Sequence, residues 1–65
     1  MKRNNIVIEK IWLTVAELQK YLGFANEATQ REWREKGSLP YYTVGRVILY
    51  RKDEIDDFVR RHKQF

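Results

Sequence analysis

A chain of 65 residues with no cysteine and a single histidine has neither a disulfide nor a thiolate metal site to hold it together. Whatever it folds into is held by packing alone. One histidine also falls short of the several ligands that a zinc site draws from imidazole and carboxylate. A chain near 60 residues buries only about 60% of the surface its unfolded form exposes, which leaves a small core, one domain and no room for a large catalytic cleft. Its 43% hydrophobic and 14% aromatic content still favours a folded state, because disordered chains are poor in the residues that build cores. No apolar run exceeds Val47 to Tyr50, far short of a bilayer span, and no basic start leads into an apolar stretch. The expectation is a soluble, cytoplasmic protein.

Met1 to Asn5 are polar and basic and read as a frayed tail. Ile6 to Leu13 are β-branched and apolar and read as a short strand or an extended arm packed on the core. At Thr14 the pattern sharpens. Thr14-Val15-Ala16-Glu17 is a capping box, with Leu13 and Leu18 at the two positions of a hydrophobic staple. Val15, Leu18 and Leu22 repeat on one face and Gly23 suits a left-handed end, which predicts a helix over Val15 to Leu22. Phe24-Ala25-Asn26 is a short turn, and Asn26 is the N-cap of a second helix running to Lys36 and Gly37. That helix is mostly polar. Trp33 shares a face with Thr29, while Glu27, Gln30, Arg31 and Arg34 spread over the side that Trp33 does not occupy, predicting a wet face of hydrogen-bonding and cationic groups.

Ser38-Leu39-Pro40 breaks the helix, and Tyr41 to Val44 and Val47 to Tyr50 flank Gly45-Arg46, predicting a hairpin closed by a type II′ turn. Both faces of that ribbon are apolar, so alternation does not say which is buried; a ribbon between a core and a ligand is one explanation. A third helix is predicted from Asp53 to His62, with Ile55, Phe58, Val59 and His62 on one stripe. Its acids, Asp53, Glu54, Asp56 and Asp57, precede Arg60, Arg61 and Lys63, matching the helix dipole. The fold class is mainly α with a small β-hairpin (α+β): an N-terminal arm or short strand over 1–12, a domain over 13–62 and a tail over 63–65.

Helix, tight turn, polar helix, hairpin, helix is the order of a small winged helix-turn-helix. Leu13-Thr14-Val15-Ala16-Glu17-Leu18, Leu22-Gly23, Glu35-Lys36-Gly37-Ser38-Leu39-Pro40, Tyr42-Thr43-Val44-Gly45-Arg46 and Asp53-Glu54-Ile55-Asp56-Asp57-Phe58 together resemble the excisionase family of MerR-like winged helix-turn-helix proteins, over about Trp12 to Arg61. Gln19 stands where that family usually has a small alanine, and the segment 23–37 is one residue longer than the common form. The resemblance implies double-stranded DNA as partner, helix two as recognition helix in the major groove, and the Gly45-Arg46 turn as a wing against the backbone or minor groove. Many members of the family bend attachment-site DNA and steer an integrase, a tyrosine recombinase, toward excision of a phage or mobile element. Others are small transcriptional regulators. The implied setting is a bacterial or phage-encoded protein at the nucleoid, with no cofactor, no metal, no membrane and no small-molecule substrate.

A net charge of +4 is a modest electrostatic footprint of nucleic-acid binding. Arg31 and Arg34 either reach guanine edges or phosphates, or pair with Glu27, Glu32 and Glu35 on a solvated face. Asn26, Thr29 and Gln30 lie near the helix start, which meets the bases first; capping and solvation explain them equally, with Thr29 partly buried beside Trp33. Asn26, Glu27, Thr29, Gln30, Arg31 and Arg34 form the recognition-helix set. Thr43, Gly45, Arg46, Arg51 and Lys52 form the wing set, with Arg46 suited to a phosphate or a narrow minor groove. Trp12 and Trp33 read as core or near-core aromatics, and His62 as a packed histidine. Tyr41, Tyr42 and Tyr50 read as half-buried strand residues rather than a stacking platform for single strands. Arg60, Arg61 and Lys63 read as a dipole-matched helix end.

No acid–base pair at motif spacing, no phosphate loop and no nucleophile beside a histidine is present, so no enzyme activity is expected. The leading expectation is a sequence-specific double-stranded DNA-binding excisionase, several copies loading cooperatively to bend DNA for an integrase. A small transcriptional regulator of a phage or mobile element is the second reading, and a protein-interaction module with a basic face is the rival of another class. A module this small buries about 600–1,000 Å² on DNA. At about 0.9 per neutralised phosphate, the cations on the DNA side give a log–log salt slope of roughly −3 to −5.

Overall fold

The computed structural model describes residues 11–64. In chain order they form β1 (Trp12–Leu13), α1 (Val15–Leu22), α2 (Glu27–Glu35), β2 (Tyr42–Val44), β3 (Val47–Arg51) and α3 (Lys52–Arg60). Three helices and a three-stranded antiparallel sheet of order β1-β3-β2 make the α+β architecture of a winged helix-turn-helix.

Local chemistry sets the ends of each element. The Thr14 amide donates to Glu17 Oε1 at 2.9 Å and the Glu17 amide donates to Thr14 Oγ1 at 3.2 Å, closing the expected capping box at the start of α1. Gly23, at φ 84°, ends α1 with its amide donating to the Gln19 carbonyl at 2.9 Å. In the turn that follows, Ala25 takes φ 77°, a left-handed conformation that costs an alanine about 1–2 kcal/mol. The Gln30 side chain holds it there: Nε2 donates to the Ala25 carbonyl at 2.9 Å and to the Val15 carbonyl at 3.1 Å. One amide thus ties the first turn of α1, the α1–α2 turn and α2 together.

Asn26 caps α2 by accepting from the Thr29 amide at 3.0 Å. The far end is a Schellman motif. Gly37, at φ 75°, donates to the Arg34 carbonyl, and Ser38 donates to the Trp33 carbonyl, each at 3.0 Å. That turn delivers Leu39 into the core. The hairpin closes at Val44 and Val47, and positive φ at Gly45 but not at Arg46 fits the expected type II′ turn. α3 starts at Lys52, one residue earlier than expected, and ends at Arg60, two residues before the expected His62.

The core gathers Leu13, Leu18, Leu39, Tyr50, Ile55 and Phe58, with Val15, Leu22, Trp33 and Ile48 packed against it. Both residues of the proposed staple, Leu13 and Leu18, are in that cluster. Of the expected N-terminal strand, Trp12 and Leu13 are real and pair with Arg51 and Tyr50; Ile6 to Lys10, and the frayed tail before them, lie outside the described residues. The pairing makes Leu13, Ile48 and Tyr50 the inner face of the sheet.

Three aromatic expectations need correction. Trp12 is not a core residue: it is exposed on the outer sheet face, edge-on to Tyr42 with ring centroids 5.1 Å apart and 5.7 Å from the Arg51 guanidinium. Tyr50 is wholly buried, whereas Tyr41 and Tyr42 are exposed, so the three tyrosines share no common state. His62 is exposed, yet its ring leans on Phe58 with centroids 4.7 Å apart and planes 56° apart, and its Nδ1 sits 2.7 Å from the Phe58 carbonyl. Among the described residues no helix is long and apolar enough to cross a membrane.

Candidate nucleic-acid interface

Among the described residues, α2 meets the rest of the domain along one flank. Gln30, Trp33 and Arg34 face inward, and the residues on the opposite side, Ala28, Arg31, Glu32 and Glu35, are all exposed. Their spacing of three, four and seven residues makes one continuous outward row. The helix therefore splits differently from the sequence reading. Trp33 alone gave too narrow a view of the inward side, because two polar residues share that side.

Gln30 is one of them. It is 0% exposed, and its expected place on a wet outer face is corrected by the two backbone carbonyls that its amide satisfies. Arg34 is the other. Its side chain is only 7% exposed; Nη1 donates to the Tyr50 hydroxyl at 2.5 Å and Nη2 to Glu27 Oε2 at 3.0 Å. Burial opposes the Arg34 charge, but hydrogen bonds with Glu27 and Tyr50 outweigh it and hold the guanidinium pKa above its ordinary value. Burial is also the main reason that the Tyr50 phenol is pushed up.

Glu27 links this interior pair to the surface. Its other oxygen accepts from Arg31 Nη2 at 2.7 Å, so Tyr50, Arg34, Glu27 and Arg31 form one chain of contacts from core to outward row. The hydrogen bond from Arg34, reinforced by the Arg31 charge, holds the Glu27 carboxyl below the usual carboxylate range. The Arg31 side chain remains 60% exposed. Asn26 is exposed and occupied as the cap, and Thr29 is half-buried.

The expected wing set divides into two places. Thr43, Gly45 and Arg46 lie on the exposed hairpin, and Arg46 has no partner among the described residues. Arg51 and Lys52 lie instead at the joint between β3 and α3. Arg51 donates through Nε and Nη2 to Asp53 at 3.1 and 2.9 Å, and Lys52 Nζ stands 5.3 Å from the centre of the Tyr21 ring. Neither is a free cation at the wing tip.

Three residues of the outward row, Ala28, Glu32 and Glu35, were not among the sequence candidates. The signal for them was the row opposite Trp33 once Gln30 and Arg34 are placed beside it. Glu32 pairs with Lys36 at 3.1 Å, and the row itself carries one cation, Arg31, against the two carboxylates of Glu32 and Glu35. Half of the net +4 belongs to residues 1–10, as Lys2, Arg3 and Lys10 against Glu9, outside the described residues.

The sequence over residues 12–63 matches the protein family described as a helix-turn-helix domain. No curated protein and no solved structure gives a match.

Proposed function

The chain belongs to the helix-turn-helix domain family and is a DNA-binding helix-turn-helix protein; from that premise we propose that it is an excisionase. In this reading it binds attachment-site DNA sequence-specifically and bends it, directing an integrase toward excision of a mobile element. It acts by binding and catalyses no reaction of its own.

The observation that carries this reading is the pairing of two surfaces: an outward row on a helix anchored, among the described residues, by its inner flank, and a hairpin tip whose arginine has no partner among them. With α2 in the major groove, Arg31 donates to guanine O6 and N7, and Glu32 and Glu35 accept from cytosine amino groups. The same two carboxylates repel phosphates, which lowers affinity for random sequence and leaves selectivity to the correct bases. Asn26 and Thr29 stand at the helix start, where backbone amides and short side chains meet phosphate. Arg46 anchors the wing on the backbone or in the minor groove, flanked by Thr43 and Gly45, while Arg51 and Lys52 add a weaker positive field behind it.

A single module that buries about 600–1,000 Å² binds weakly. Useful occupancy therefore comes from several copies loading side by side, each sharing the bend made by its neighbour. The test is a titration at two salt concentrations against DNA fragments tiled across the flanks of the gene and any nearby integrase attachment site. Stepwise, salt-sensitive shifts on the attachment fragment are expected. A shift confined to a promoter replaces the excision role with transcriptional control, and no shift even at low salt removes the DNA reading.

A further inference from the structure

We propose that the open cleft between α1, the α1–α2 turn, α2 and α3 is a docking site for an acidic amphipathic helix of a partner protein. The cleft has a volume of about 370 Å³ and is lined by Leu22, Phe24, Trp33, Phe58, Val59 and His62. Its aromatic wall is continuous: ring centroids are 6.0 Å apart from Phe24 to Trp33, 5.1 Å from Trp33 to Phe58 and 4.7 Å from Phe58 to His62.

Two large apolar side chains at its edge stand in water, Phe24 at 60% and Val59 at 49% exposed. Phe24 is fixed in that position. The next residue, Ala25, is held at φ 77° by the buried Gln30 amide, so the turn does not swing to cover the ring. Strain retained beside an exposed aromatic marks a surface kept for a contact.

The lining also selects the occupant. A small polar ligand finds few convergent groups here, since His62 Nδ1 is already against the Phe58 carbonyl. An extended strand finds no free backbone edge, because the walls are helices. A helix laying spaced apolar anchors into the cleft meets both conditions. Its charge follows from the residues that flank His62 in the chain. Among the described residues no acid lines the cleft, Arg60 is paired to Asp57 at 2.8 Å, and Arg61 and Lys63, on either side of His62, are exposed without partners. Two unbalanced cations beside an apolar cleft favour an anionic flank on the incoming helix. Trp33 and Arg31 point to opposite sides of α2, so the cleft stays open when the outward row is occupied. The proposal does not depend on the excision role.

The test uses the full chain labelled with ¹⁵N and a synthetic 18-residue helical peptide, with leucine at the i, i+4, i+7 and i+11 positions and glutamate at most others, against a counterpart carrying lysine for glutamate. Saturable shifts are expected at Phe24, Trp33, Val59 and His62 with the glutamate peptide, and at least about tenfold weaker binding of the lysine peptide. Phe24→Ala weakens the glutamate peptide at least about tenfold, and so does Arg61→Glu combined with Lys63→Glu. DNA affinity stays within about twofold in Phe24→Ala, and thermal unfolding confirms that both variants are folded. Val59→Glu, at an exposed position, provides an independent block of the cleft. Four results overturn the proposal: no shifts at the cleft, equal binding of the two peptides, undiminished binding of the glutamate peptide by the Arg61→Glu, Lys63→Glu variant, or concentration-dependent shifts of the cleft without peptide, which assign it to a second copy.

Discussion

The two surfaces proposed to meet DNA handle charge in opposite ways. On α2, Arg34 is locked between Tyr50 and Glu27, Arg31 pairs with Glu27, and Lys36 pairs with Glu32. On the hairpin, Arg46 is exposed and unpaired among the described residues. The helix commits its cations to its own geometry, so its contribution is shape and the placement of a few donors and acceptors. The hairpin carries charge with no local partner, so its contribution is attraction to any phosphate. Selectivity and affinity are thereby assigned to different elements.

The largest effect that breaks this contrast removes what holds α2 in place. Gln30→Ala deletes both carbonyl contacts and opens a cavity, and should cost about 2–4 kcal/mol; for a domain this size that lowers the melting temperature by roughly 10–25 °C. A calorimetric midpoint within a few degrees of the parent protein would mean that the amide is not the lock. Next in size, Arg31→Ala should lose about 1–3 kcal/mol of binding to the cognate fragment, and much less on random DNA, with little change in unfolding because Glu27 keeps Arg34. Equal losses on both DNAs would assign Arg31 to phosphate.

Arg46→Ala sharpens the other side. It should weaken cognate and random DNA by the same few-fold factor and make the salt slope shallower by about 0.9, one phosphate, with the melting temperature unchanged. A sequence-dependent loss would give the hairpin a reading role. The smallest effect is a pH dependence. The Glu27 carboxyl sits below its ordinary value of 4.5 in the folded state, so its stabilising contribution is present above that value and fades as pH falls through the lower folded value. Acid denaturation of Glu27→Gln should be correspondingly less steep, and the difference should shrink in high salt because the group is exposed. Identical acid profiles would show that the Arg34–Glu27–Arg31 contacts add nothing to folding.

Much of the fold was legible because it is written in short-range chemistry. The capping box at Thr14, the glycine ends at Gly23 and Gly37, the Asn26 cap and the Gly45-Arg46 turn each act within four or five residues. What escaped the sequence depends on distant partners. A short strand was expected within Ile6 to Leu13, but its partner was not: Trp12 and Leu13 pair with Arg51 and Tyr50, about forty residues away in the chain. Gln30 is polar, and only the carbonyls of Val15 and Ala25 make it an interior residue. Arg34 likewise becomes interior through Tyr50, sixteen residues away. Of the residues expected at the site, Arg31 and Arg46 lie on exposed surface as the sequence suggested, whereas Gln30 and Arg34 are buried behind it by partners the sequence does not show.

The separation of the outward row from the inward flank of α2 bears on how such a domain changes over generations. Ala28, Arg31, Glu32 and Glu35 project into solvent, while Gln30, Trp33 and Arg34 fix the helix. Exposed helical positions of this kind change stability by only about 0.5 kcal/mol when substituted. Their substitution leaves the lock intact. On the proposed DNA reading, the four side chains can change to suit a new sequence without passing through an unfolded intermediate.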